Sequence, residues 1–389
     1  MIKARIAAYG ESTFKGFGNN VENIANATPN ILQSVLGTSV VGLDNMACSG
    51  VQTRLQLGLA GNTTVTDALG VTRPAPLIAA NVASDRGTIA IVNVGINDAY
   101  YGYSNNTVVD FKANLTTVVE RLKRAGKLVF LQSPNKIVAP TYVNGAVTNS
   151  LTGLTVIQAL DNMAAQVSVV AAAKGVTYQG TSSQSVPLLD YTHPTSAGYA
   201  MMANGLVGMV TSVVVGQMKA RVATALLYNA LFNRAPEKGG LDYWTGQIYS
   251  GALGFEDGSC ANTMLSLPAV QAIYPVSMSN TNFVTSIYNN VFGRSPDADG
   301  LAYWVGQLNS GVSRGAVIST MIDIGYNYVG SNSVSVNSQK FIQNRLSVGL
   351  AYGFIYGRTA VDGSGSASVL AAITYGGSYT QVAAATANF

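Results

Sequence analysis

The sequence predicts an α/β domain with a parallel sheet covered on both faces, followed by an all-α repeat domain. Three observations predict it. Apolar, strand-like runs alternate with amphipathic helical runs over the first half of the chain, the pattern of parallel strands joined by crossover helices. The second half repeats itself at an offset of 60 residues, which implies stacked or paired units sharing a core. Within each copy apolar residues recur four apart, the helical period.

The elements follow in order. Ile6-Ala7-Ala8-Tyr9 is the first strand and leads into Gly10-Glu11-Ser12. A serine there stands at the edge where α/β sheets place their sites. Thr88 to Val94 reads as a buried strand and ends in Gly95-Ile96-Asn97-Asp98. Phe111, Leu115, Val118, Val119 and Leu122 share one face of the next helix, with Gly126 at its expected C-terminal cap. Lys127 to Leu131 is another strand, and Val176-Thr177-Tyr178 the last. Between them Thr141 to Thr148 reads as a hairpin turning at Asn144-Gly145; it follows a sheet strand and is placed to overhang the site. Residues 198–218 carry no charge and imitate a membrane span, but glycines and Asn204 interrupt them. They read as a buried helix on the sheet, and no membrane span is expected.

In the repeat, Leu227-Tyr228-Asn229-Ala230-Leu231-Phe232-Asn233-Arg234-Ala235-Pro236 recurs as Ile287-Tyr288-Asn289-Asn290-Val291-Phe292-Gly293-Arg294-Ser295-Pro296. Gly240-Leu241-Asp242-Tyr243-Trp244 recurs as Gly300-Leu301-Ala302-Tyr303-Trp304. A degenerate third copy runs through Ala351-Tyr352 and Ile355-Tyr356-Gly357-Arg358 without the Tyr-Trp half. The expected domains are 1–218 and 219–389, with copies at about 223–282, 283–346 and 347–389. Asp297-Ala298-Asp299-Gly300 raises calcium binding, but the first copy has Glu237-Lys238-Gly239-Gly240 there. A helix-capping turn fits both better.

Composition narrows the function. Charged residues are 10% of 389, against about 25% in an average domain. The formal charge is +4, with no basic run, so nucleic-acid binding is excluded. Cys48 and Cys260 fall in different expected domains and read as small buried residues. No cysteine–histidine cluster exists, so no metal and no cofactor are expected. Met1 to Tyr9 enters the first strand at once, so no cleavable signal peptide is expected.

The single histidine, His193, lies in Asp190-Tyr191-Thr192-His193. Histidine is the side chain best suited to proton transfer near neutral pH. A serine hydroxyl is a poor nucleophile until such a base takes its proton. An aspartate three residues from the histidine can hold its other ring nitrogen and stabilise the imidazolium.

Four blocks together resemble an SGNH (GDSL-type) ester hydrolase over about residues 1–218. They are Gly10-Glu11-Ser12, Asn45-Met46-Ala47-Cys48-Ser49-Gly50, Gly95-Ile96-Asn97-Asp98 and Asp190-x-x-His193. The resemblance implies a flavodoxin-like three-layer α/β/α sandwich. It implies Ser12 as nucleophile, His193 as base and Asp190 as its orienter. The Ser12 and Gly50 backbone N–H groups and the Asn97 side chain would form the oxyanion hole. One departure stands out: the usual first block reads Gly-Asp-Ser-Leu, and here it reads Gly-Glu-Ser-Thr. Tyr100, Tyr101 and Tyr103 follow the third block. They form either an aromatic lip for a sugar or acyl group or a loop packing on itself.

Residues of about 222–346 resemble a tandem bacterial domain of unknown function found in secreted and surface-layer proteins. That implies an extracellular adhesion or display role, with surface or polysaccharide contact through the repeats. The expected activity is hydrolysis of short-chain or acetyl esters through an acyl-serine, including deacetylation of an acylated glycan. Acyl transfer by the same residues is one alternative. A surface or phage-virion binding protein with a vestigial hydrolase domain is the other. The expected location is extracellular or at the cell surface.

Overall fold

The computed structural model describes residues 1–18, 21–38, 41–48, 53, 64–66, 72–74, 78–101, 108–137, 156–180, 186–189, 192–360 and 363–389. Five strands form one parallel sheet: β1 (Ala4–Gly10), β2 (Val41–Asn45), β3 (Ile89–Asn93), β4 (Leu128–Gln132) and β5 (Thr177–Gln179). Their order is β2-β1-β3-β4-β5, the flavodoxin-like arrangement. Ile6 of β1 pairs with Leu43 on one side and Ile89 on the other. Every residue of β3 is buried. Successive strand residues face opposite ways, so both faces must be covered.

Helices supply the cover. On one flank α2 (Thr28–Leu36) packs on β2 and on α6 (Ser196–Met209). On another, α3 (Ile96–Tyr101) packs on α5 (Val156–Lys174), which also lies on β4 and β5. The helix α4 (Val108–Arg124) buries Phe111, Leu115, Val118, Val119 and Leu122 completely. Its chain then turns at Gly126 with φ +74°, as the sequence led us to expect. By length and composition α5 could cross a membrane. Here it buries Leu160, Met163, Val167 and Val170, with sheet strands as neighbours.

The uncharged stretch 198–218 is not one helix. It breaks at Val210-Thr211 into α6 and α7 (Ser212–Phe232), bent by 57°. The expected hairpin at 141–148 lies outside the described residues.

The chain divides into two compact units. One is Ala4–Lys123 with Leu128–Val215, and the other is Met1–Lys3, Arg124–Lys127 and Gly216–Phe389. The domain boundary expected at 218 falls inside α7.

The second unit is helical beyond its two short segments. After α7 come α8 (Lys238–Tyr249), α9 (Asn280–Phe292), α10 (Ala298–Asn309), α11 (Arg314–Tyr326) and α12 (Ser333–Leu350). Contacts recur at the offset of 60. Tyr228 meets Phe232 in a tilted ring contact at 4.9 Å, and Tyr288 meets Phe292 in another at 4.6 Å. Arg234 and Arg294 each lie over the tyrosine of their own copy, at 5.2 and 5.1 Å. Trp244 and Trp304 are buried and each meets the preceding tyrosine edge-on. Asp297 caps α10, its Oδ1 accepting the Gly300 N–H at 2.8 Å. Glu237 makes no such cap and instead pairs with Arg234.

Candidate active site

The sheet order reverses between β1 and β3, and both strands end at the crevice this opens. β1 stops at Gly10, and the short helix α1 (Ser12–Lys15) starts at Ser12. The turn is too tight for a side chain at Gly10, where a Cβ would lie 2.8 Å from Phe14. Ser12 is thereby set at the C-terminal edge of the sheet.

The histidine arrives from a closed turn before α6. Leu188 bridges Pro194, the Leu189 N–H donates to the His193 carbonyl at 2.8 Å, and the Thr195 N–H donates to the Pro187 carbonyl at 2.9 Å. Thr195 caps α6 by accepting the Gly198 N–H at 3.1 Å. From the loop after β4, Asn135 Nδ2 donates to the Thr192 carbonyl at 3.1 Å. The result puts His193 Nε2 2.9 Å from Ser12 Oγ. With its proton on Nδ1, the imidazole can accept the serine proton at Nε2.

Glu11 takes on a role the sequence reading did not assign. It is fully buried, and its carboxylate accepts the Ile96 N–H at 2.7 Å and the Asn97 N–H at 2.8 Å. These are orphan donors at the start of α3, where a carboxylate also meets the positive end of the helix dipole. One side chain next to Ser12 thus fixes the residue that carries the third block. Burial, and secondly the nearby charge of Asp98, push the Glu11 carboxyl up to about 8, against the backbone N–H bonds that favour its ionised form.

Asp98 is also fully buried. It accepts the Thr53 N–H at 3.1 and 3.2 Å and the Thr53 hydroxyl at 2.7 Å. Thr53 follows the second block by three residues in sequence, and these bonds tie it to the third block. Upstream, the Met46 and Cys48 N–H groups continue the pairing onto β1, at the Ala8 and Gly10 carbonyls. Asn45 Nδ2 donates to the Phe14 carbonyl at 2.9 Å.

Ser12, His193 and Asn97 are therefore gathered at one sheet edge, Asn97 as the second, buried residue of α3. Asp190, Gly50 and Tyr103 lie outside the described residues, and Tyr100 and Tyr101 are placed by backbone alone at the end of α3. Both cysteines are buried thiols. Among the described residues no group of three histidines, cysteines or acids is placed to hold a metal. Sequence reasoning missed Thr53 and Asn135. A signal existed for Asn135, a polar residue just past a buried strand at the functional edge.

Comparison with known proteins adds the following. Residues 8–201 match the GDSL-like Lipase/Acylhydrolase family. Residues 261–323 match a Domain of unknown function (DUF4214). No curated protein matches the chain. Among solved structures, a carbohydrate acetylesterase family member from Sinorhizobium meliloti is 15% identical, with TM-score 0.42, covering 56% of this chain and 99% of that one. The aryl esterase of M. smegmatis is 18% identical, with TM-score 0.41 and coverage of 53% and 98%. A lipase/acylhydrolase from Enterococcus faecalis is 15% identical, with TM-score 0.39 and coverage of 53% and 95%.

Proposed function

We propose, for a chain whose residues 8–201 belong to the GDSL-like lipase/acylhydrolase family and carry an ester hydrolase domain, that Ser12 is the nucleophile and His193 its base. The observation that carries this is the 2.9 Å contact of His193 Nε2 with Ser12 Oγ. Ser12 Oγ attacks the ester carbonyl carbon as Nε2 takes its proton. Asp190 holds the imidazole and stabilises its charge. The oxyanion is met by the Ser12 and Gly50 N–H groups and the Asn97 side chain. His193 returns the proton to the departing alkoxide, and the alcohol leaves. Water then attacks the acyl-serine, with His193 again as base. The reading is tested with 4-nitrophenyl acetate. Ser12→Ala and His193→Ala are each expected to lose at least about a thousandfold in kcat, with the thermal midpoint retained. Substantial turnover by folded Ser12→Ala overturns it.

Within that mechanism the substrate we favour is an acetyl ester on a surface glycan, met outside the cell. What supports this is the tyrosine run at 100, 101 and 103 and the resemblance of the C-terminal half to domains of secreted proteins. Acetate release from acetylated xylan, set beside 4-nitrophenyl acetate, tests it. Cleavage of the small ester with no acetate from the polymer overturns the glycan assignment and leaves the mechanism standing.

A further inference from the structure

The last residues of β3, β4 and β5 are Asn93, Gln132 and Gln179, three amides in register across the sheet. Asn93 and Gln132 are fully buried. Asn93 Nδ2 donates to Gln132 Oε1 at 3.0 Å, and Gln132 Nε2 donates to Gln179 Oε1 at 2.7 Å. Gln132 Nε2 also donates to the Met202 carbonyl of α6 at 3.1 Å. The amides form a ladder that leaves the sheet and ends on the helix following His193.

That helix is shaped to receive it. A Cβ at Gly205 would lie 1.5 Å from Gln179 Nε2, so the Gln179 amide fills a notch that glycine leaves open. Met202 and Gly205 are three apart and share one face of α6. Two polar contacts about one turn apart therefore fix both the height and the rotation of α6 against the sheet. Asn135, three residues past Gln132, holds the turn ahead of the helix by donating to the Thr192 carbonyl at 3.1 Å.

Stability alone does not require these amides. A buried amide is costly until it is bonded, and apolar side chains of the same shape would serve the fold nearly as well. What hydrogen bonds add is direction. The side chains that α6 otherwise buries are Tyr199, Met202, Ala203 and Leu206, and apolar burial is non-directional. A helix displaced by one residue moves about 1.5 Å along its axis, whereas a catalytic constellation must be held to within about 0.5 Å. His193 lies three residues before the first residue of α6, on the closed turn, so the placement of α6 decides the placement of the imidazole. Its Nε2 stands 2.9 Å from Ser12 Oγ.

We propose that Gln132, Gln179 and Gly205 are positioning residues for the base: the amide ladder indexes α6 on the sheet so that His193 meets Ser12. The proposal rests on the reading of Ser12 as nucleophile and His193 as base.

Gly205→Ala is the sharpest test. Alanine is the better helix former, and the atom it meets is the end of a flexible side chain, so the fold should persist. Its kcat on 4-nitrophenyl acetate should fall about 10–100-fold, with KM within about twofold. Gln132→Leu should behave alike. If Gln132→Leu does not fold, Gln179→Ala takes its place. The double variant Gln179→Ala/Gly205→Ala should be about as slow as the slower single one, because both changes break the same contact. His193 is the only histidine of the chain, so imidazole ¹⁵N shifts report on it alone, and the Nε2 signal should move in Gly205→Ala. Folded Gly205→Ala with the wild-type kcat and an unmoved Nε2 signal overturns the proposal. Ser12→Ala and His193→Ala, assayed alongside, separate the two readings. Turnover surviving in them removes the nucleophile and base assignment and this proposal with it. Turnover lost in them but kept in Gly205→Ala and Gln132→Leu removes the positioning role alone.

Discussion

Glu11 is the residue where this chain departs from its family's usual first block, and the structure gives the departure a use. The longer side chain reaches two backbone N–H groups of α3 while its own backbone leads into Ser12. The sign of its titration follows from its environment. Its folded-state value, about 8, lies above the ordinary 4.5, so the folded state holds the proton more tightly. Its contribution to stability is full below about 4.5 and is lost as pH rises through about 8. Glu11→Gln imitates the protonated form. The unfolding free energy of the wild type should fall between those two pH values, by an amount on the order of a few kcal/mol, and the Gln variant should be flat there. Denaturant titrations across the range check this, and parallel curves for both proteins would assign the titration elsewhere. Asn97→Ala bears on the same site. As an oxyanion donor, Asn97 should cost about 10²–10³ in kcat with KM little changed. A change confined to KM would make it a binding residue instead.

At the scale of elements, β3, β4 and β5 were legible to within a residue, because continuous apolar runs such as Ile89–Asn93 have few other homes. β1 starts two residues before the expected Ile6, and β2, Val41–Asn45, was not read as a strand, because polar Asp44 and Asn45 close its short apolar run. The buried face of α4 was legible for the same reason, through its spacing. The site was legible where chemistry is rare, at the one histidine and the serine after β1. The break between α6 and α7 was not, since neither Val210 nor Thr211 is a helix breaker. Its only signal is Thr211, whose hydroxyl accepts the Val214 N–H at 3.2 Å as an N-cap does. The Glu11 and Asp98 clamps were illegible because they join residues 85 and 45 positions apart. Two helix-ending glycines give an element-scale prediction. Gly126 and Gly175 both have positive φ, +74° and +61°. A Cβ at Gly126 would lie 2.4 Å from the Ser347 carbonyl oxygen, whereas at Gly175 nothing lies within 4 Å. Gly175→Ala should cost only the left-handed backbone, about 1–2 kcal/mol. Gly126→Ala should cost about 1–3 kcal/mol more, because backbone must move. Equal losses in urea unfolding would show that the Ser347 approach relaxes freely.

At the scale of the whole molecule, the helical unit is assembled from three stretches of chain. The N-terminal ammonium pairs with Asp323 at 2.6 Å, Asn327 Nδ2 donates to the Met1 carbonyl at 3.3 Å, and Ile2 is fully buried. Arg124 Nη1 donates to the Ala387 carbonyl at 2.6 Å. A sequence periodicity cannot show this, because residues 1–3 and 124–127 carry no repeat motif. Cutting between Val215 and Gly216 therefore does not release that unit whole. Fragment 216–389 lacks the buried Ile2 and the Arg124 contacts, and it should unfold at a lower temperature than the same helices in the full chain. Circular dichroism at 222 nm would record the difference. The proposed catalytic residues Ser12, Asn97 and His193 all belong to the other unit. Fragment 1–215 should thus keep its turnover of 4-nitrophenyl acetate within a few-fold of the full chain when assayed below its own midpoint. Its rate on acetylated xylan should fall further, if the repeats bring the enzyme to a polymer. A fragment 1–215 that is folded and monodisperse yet inactive on the small ester would mean that the helical unit completes the active site.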